Sequence, residues 1–278
     1  MVIAQHHLPD NPPSETHTTY RSSHPFPLPY DILETITAHL HDLRALKACS
    51  LICRSWYIAA APHLHYTLTF TGDNPEIGRR QLEPLSKLHE LGLIHLVKTI
   101  WVKQGSNTRW FAPGAFSDLD LRNFSAFTNV HTLKLQNVGI CDFIPGAERY
   151  FGPFSQALRS IILYDPRCTP RQLSYFLSLF SNLDNIGIRN TCTPELLITA
   201  TSEMEPVPFS ALKLRGRLAL QTFWWPEMWK HLITSNSDLR FRRMVLRGST
   251  SCAPILFEAC AETLETLQLG VIDGTGGG

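Results

Sequence analysis

A six-residue pattern recurs from residue 97 onward: apolar, two variable residues, apolar, one variable residue, apolar. It reads Val97-Ile100-Val102, Val130-Leu133-Leu135, Leu158-Ile161-Leu163 and Leu183-Ile186-Ile188. It continues as Phe209-Leu212-Leu214, Phe241-Met244-Leu246 and Leu264-Leu267-Leu269. The starts lie 33, 28, 25, 26, 32 and 23 residues apart. Leu68-Thr69-Phe70 offers one more strand ahead of Ile100-Trp101-Val102. The apolar–variable–apolar end of each unit is the two-residue period of a short strand. No such unit buries its own apolar face, so the units must stack on one another. This constrains the chain to an α/β array: parallel strands joined by helical returns on one side, wound as a right-handed solenoid.

The returns carry helix signals. Thr169-Pro170 opens a segment with Leu173, Phe176, Leu177 and Phe180. Thr193-Pro194, Pro226 and Pro254 open others, and a first-turn proline loses no hydrogen bond there. The array resembles the leucine-rich repeat, whose unit is about 20 to 29 residues. Two intervals exceed that range, and Asn137 and Asn190 come one residue earlier than the family's Asn or Cys, so the repeats are degenerate. We expect about seven rungs over residues 65–278. The last strand is followed only by Gly270 to Gly278 with five glycines, so we expect either an array truncated at its C-terminus or an edge that something else covers.

A different pattern precedes the array. Residues 1–25 hold Pro9, Pro12, Pro13 and Pro25 among His, Ser and Thr, and read as a disordered tail. Over 26–64, Ile32, Leu33, Ile36 and Leu40 mark one helix face after Pro29. Asp42 is placed to cap a second helix with Leu43, Leu46 and Leu51. A third helix runs through Trp56 and stops at Pro62. Three helices in so short a stretch bury too little to stand alone, because chains below about 40 residues need outside support. Some of these apolar groups must be covered by the array or by a partner.

Leu28-Pro29, Ile32-Leu33, Ile36, Leu40 and Cys53-Arg54-Ser55-Trp56 give this stretch its resemblance to the F-box, and the whole chain resembles a fungal-type F-box-like protein with repeats. The resemblance implies docking onto the adaptor subunit of an SCF-type cullin–RING ubiquitin ligase, and through it onto cullin. It implies adaptor-binding roles for Leu28, Pro29, Ile32, Leu33, Ile36, Leu40, Leu46, Cys53 and Trp56. The rival reading is a non-ligase protein-binding scaffold, with the helices merely capping the solenoid. Exposure of Leu28, Ile32 and Ile36 separates the two.

On the array, the third, fifth and seventh pattern positions face away from the core. The seventh-position column reads Lys103, Gln136, Tyr164, Arg189, Arg215 and Arg247, with Trp101, Lys134 and Lys213 in the fifth. A basic ladder beside aromatics suits an acidic or phosphorylated protein target, since Arg offers two-pronged hydrogen bonds. The plainer reading is a row of solvated strand residues.

Formal net charge is +1, which gives no pointer to nucleic acid or an anionic membrane. No apolar run reaches membrane-spanning length, and no signal peptide opens the chain. Seven unpaired-looking cysteines suggest reduced thiols in an intracellular protein, of cytoplasm or nucleus. We expect neither cofactor nor metal. His39 and His41 are two residues apart, a spacing that does not share a helix face. Cys49 and Cys53 lack a second ligand pair. Phosphate-loop and nucleophile-turn motifs are absent, so an enzyme is not expected.

Overall fold

A computed structural model describes residues 28–72, 85, 87–105, 126–140, 151–189, 213–221, 229–230, 238–248 and 253–270. The expected tail, the Thr193-Pro194 return and the end after Gly270 lie outside these residues.

Three helices come first: α1 (Tyr30–His39), α2 (Leu43–Ser50) and α3 (Arg54–Leu64). Pro29 is the residue before α1, not part of its first turn; its carbonyl accepts from the Ile32 and Leu33 amides at 3.1 and 3.2 Å. Asp42 caps α2, its carboxylate accepting from the Arg44 amide at 3.0 Å. The expectation that α3 stops at Pro62 is corrected: the helix continues to Leu64. A proline forfeits one backbone bond, but the His65 amide still reaches the Ala61 carbonyl at 3.0 Å and closes the last turn.

Among the described residues eight strands follow, and their seven pairings are all parallel, in chain order. They are β1 (Thr67–Gly72), β2 (Thr99–Gln104), β3 (Thr132–Gln136), β4 (Ser160–Tyr164), β5 (Asn185–Arg189), β6 (Lys213–Gln221), β7 (Asp238–Arg247) and β8 (Thr266–Gly270). Each apolar doublet pairs with the next. Ile100, Leu133, Ile161 and Ile186 form one buried line, and Val102, Leu135, Leu163 and Ile188 the next. The core lies on that face of the sheet, under the connecting segments.

Helix α4 (Pro170–Ser178) is one such connection. Thr169 and Gln172 form a reciprocal cap: the Thr169 hydroxyl accepts from the Gln172 amide, and the Gln172 side chain accepts from the Thr169 amide at 2.8 Å. Its Leu173, Phe176 and Leu177, with Phe180 beyond it, are all buried. Phe176 meets Phe151 and Phe180 edge-to-face, with ring centroids 5.5 and 5.2 Å apart. Helix α5 (Ala253–Cys260) packs back against β7, and the Cys260 thiol donates to the Leu239 carbonyl at 3.7 Å. Burial raises the pKa of that thiol, against a smaller lowering by its hydrogen bond to the Phe241 backbone.

One register differs from expectation. Leu212-x-Leu214 was read as the doublet of its rung, but Leu218 and Leu220 pair with Ile186 and Ile188 instead. The β6–β7 register shifts between Gly216 and Arg217, which face Phe241 and Arg243 and leave Arg242 of β7 as the extra residue. Gly216 has φ +82°, and a Cβ there would lie 2.2 Å from the Asp184 carbonyl oxygen. Only glycine fits such a site.

Candidate protein-binding surfaces

The helical module has an inside and an outside. Helix α3 contacts both α1 and α2, and presents Ala59, Ala60 and Ala61 where they meet. Those small side chains let the helices approach closely. Leu33 and Thr37, one turn apart on α1, are buried. The Thr37 hydroxyl lies 3.1 Å from the Ala59 carbonyl of α3 and 3.0 Å from the Leu33 carbonyl of its own helix. Its single proton serves either acceptor.

The neighbouring stripe of α1 points outward. Leu28, Ile32 and Ile36 are 49%, 43% and 37% exposed. Pro29, Tyr30 and Cys53 are exposed beside them in the chain, and Leu51 and Ile52 stand out in the turn between α2 and α3. Tyr57 and Ile58 extend the apolar exposure along α3. Trp56 is half-buried.

The expected docking set therefore divides. Leu33 and Leu46 are corrected to interior residues: they hold the helices together and present little surface to a partner. Spacing alone places Leu33 with Ile32, because adjacent positions on a helix differ by only 100° in direction. Leu40 is half-buried and, with Leu43, Leu46 and His63, lines a groove of about 530 Å³ between the helices and β1. His65 closes α3, and burial lowers its pKa below the usual histidine value.

A second surface is the outward face of the sheet. In strand register its seventh-position column is Lys103, Gln136, Tyr164, Arg189, Gln221 and Arg247. The fifth is Trp101, Lys134, Ile162, Gly187, Ala219 and Val245. Because β6 pairs with β5 through Arg217 to Gln221, Lys213 and Arg215 precede the rung and fall outside these columns. Arg215 lies 3.8 Å from Asp238 instead. The third-position column, which the same pattern directs outward, contributes Arg217 and Arg243. Arg217 enters through the shifted register of β6, whereas Arg243 already stands third in the Phe241-Met244-Leu246 unit.

The two ends of this face differ. Near the module, Lys103 Nζ sits 3.7 Å above the Trp101 ring and Lys134 Nζ 5.2 Å from its centre, a cation–π pair in which the charges are already engaged. Toward the other end, Tyr164, Arg189, Arg217 and Arg247 surround a depression of about 270 Å³. Among the described residues, no helix is long and apolar enough to cross a membrane.

The helical geometry has a counterpart among known families. Residues 27–71 match the F-box-like family. The match covers all three helices and all but the last residue of β1, and it stops before the rest of the sheet. No curated protein matches the chain.

Proposed function

We infer that this chain is the substrate-receptor subunit of an SCF-type cullin–RING ubiquitin ligase. The F-box-like module docks the ligase adaptor and, through it, cullin. The sheet, read as a degenerate leucine-rich-repeat solenoid, holds the protein target. The single observation carrying this reading is the uncovered apolar stripe of Leu28, Ile32 and Ile36 on a module of F-box-like sequence. If the module only capped the sheet, that stripe would be packed against β1 and β2. Contiguous exposed apolar residues mark a protein interface, and covering the exposed half or less of each aliphatic side chain contributes roughly 1 kcal/mol.

The subunit itself performs no bond chemistry in this reading. It raises the effective concentration of target lysines near the ubiquitin-charged enzyme. Chain order in the sheet supports a continuous target-binding face, since every strand adds one row to the same surface. The compartment proposed is the cell interior, cytoplasm or nucleus, where cysteines such as Cys53 stay reduced.

The test is co-purification of the adaptor with wild type and with the triple variant Leu28→Ala, Pro29→Ala, Ile32→Ala. All three residues face solvent, so the module should keep its helical circular dichroism. The reading predicts loss of adaptor from the variant. Equal recovery from both proteins overturns it.

A further inference from the structure

Three rows of side chains face outward on β5, β6 and β7, and their chemistry alternates. The middle row is Gly187, Ala219 and Val245. On one side of it lie Arg217 and Arg243; on the other lie Arg189 and Arg247. The depression is centred on the middle row, floored by Gly187 and Ala219 and walled by Ile162 and Val245.

Gly187 is not required by the backbone. A Cβ built there comes no closer than 3.4 Å to Ile162, an ordinary contact. The strand gives up packing at this point, and a bare strand position leaves room for another chain to approach closely.

The four arginines are exposed and make no ion pair among the described residues. The contrast with their neighbours is plain: Arg159 lies 3.9 Å from Asp184, and Arg242 3.8 Å from Glu265. No Asp or Glu stands in the three outward rows of β5–β7. The rows are thus cationic, apolar, cationic, with the cations uncompensated among the described residues.

We propose that this face of β5–β7 binds an extended, unphosphorylated segment of a partner protein with the pattern acidic, any residue, apolar, any residue, acidic. The proposal rests on the target-binding reading of the sheet and names the class of segment bound. Successive rows are two residues apart along each strand. An extended partner turns alternate side chains to one side at the same rise, about 3.3 Å per residue. Its first, third and fifth side chains therefore fall over the three rows, about 13 Å from first to last. The apolar side chain enters the notch over Gly187 and Ala219. The two carboxylates meet Arg217 with Arg243 on one side and Arg189 with Arg247 on the other, each guanidinium able to donate two parallel hydrogen bonds.

Fluorescence anisotropy on the full-length chain tests this with labelled 11-residue peptides. Their centres read Glu-Ser-Leu-Ser-Glu, Glu-Ser-Ser-Ser-Glu and Lys-Ser-Leu-Ser-Lys; a fourth carries phosphoserine in place of both Glu. The first peptide is expected to bind. The Ser-centred peptide should bind roughly tenfold more weakly, as for the loss of one buried aliphatic side chain. The Lys peptide should show no saturable binding. Gly187→Val, which fills the notch and suits a strand, should weaken the first peptide by a similar factor. Arg217→Gln with Arg247→Gln should weaken it and flatten its salt dependence.

Absence of binding by the first peptide overturns the proposal. So does equal binding of the Leu- and Ser-centred peptides to wild type and Gly187→Val, which indicates charge attraction alone. Phosphopeptide binding more than tenfold tighter than the Glu peptide overturns it by assigning the face to phosphate. Adaptor capture is measured on the same preparations. Loss of peptide binding with capture intact counts against this proposal alone. Peptide binding with capture lost supports it and counts against the ligase reading.

Discussion

Thr37 shows how one hydroxyl fixes the arrangement of two helices. It is fully buried, and it links α1 to the Ala59 carbonyl of α3. Thr37→Val keeps the side-chain volume and removes the hydroxyl, so it should cost about 1 kcal/mol in chemical denaturation. An unchanged midpoint would show that the hydroxyl contributes nothing net. Gly216 is constrained by backbone alone. Gly216→Ala places a methyl group 2.2 Å from the Asp184 carbonyl oxygen at a positive φ. We predict a loss above about 2 kcal/mol, from strain and displacement of β5 against β6 together. His65 supplies a pH dependence. Burial lowers its pKa in the folded chain, so the unfolded chain binds its proton more readily. Stability should therefore be full above about pH 6.5, the unperturbed value, and should fall as pH drops below it toward the lowered folded value. His65→Gln should flatten this part of a denaturation-midpoint profile, and an unaltered profile would assign the effect to other groups.

At the scale of elements, what the sequence made legible followed period and capping. Strands β2 to β5 were readable because Val97-Ile100-Val102 and its successors satisfy both the apolar period and the strand length. Helix α4 was readable from Thr169-Pro170, and Thr169→Ala should cost about 1 kcal/mol in the same denaturation assay by removing its cap. Strand β6 was misregistered because two doublets, Leu212-x-Leu214 and Leu218-x-Leu220, compete within a few residues. The second pairs with Ile186 and Ile188, a long-range choice with no trace in the apolar period. The docking set was legible as a group but not residue by residue. Ile32 and Leu33 are adjacent in sequence, and only the packing of α3 against α1 decides that Leu33 goes in and Ile32 out. Arg217 was missed because the outward column of β6 is known only once its register is; Arg243 stands third in the Phe241-Met244-Leu246 unit, a position the fifth- and seventh-position columns pass over.

At the scale of the whole molecule, two surfaces of different chemistry sit on one chain. The module offers Leu28, Ile32, Ile36, Leu51 and Ile52, an apolar stripe without matching charge. The sheet offers arginines around a small notch, roughly neutralised elsewhere in a chain of net charge +1. The two chemistries predict different thermodynamic signatures for two partners. Docking through the apolar stripe gives a negative heat-capacity change and little response to salt. Binding through the arginine rows weakens steeply as salt rises. We propose that the module docks the ligase adaptor through its exposed apolar stripe. The most direct test is titration calorimetry of the full chain against purified adaptor, at several temperatures and two salt concentrations. We predict saturable binding with a clearly negative heat-capacity change and an affinity nearly unchanged by salt. No binding, or binding with a heat-capacity change near zero and steep salt dependence, would contradict the account.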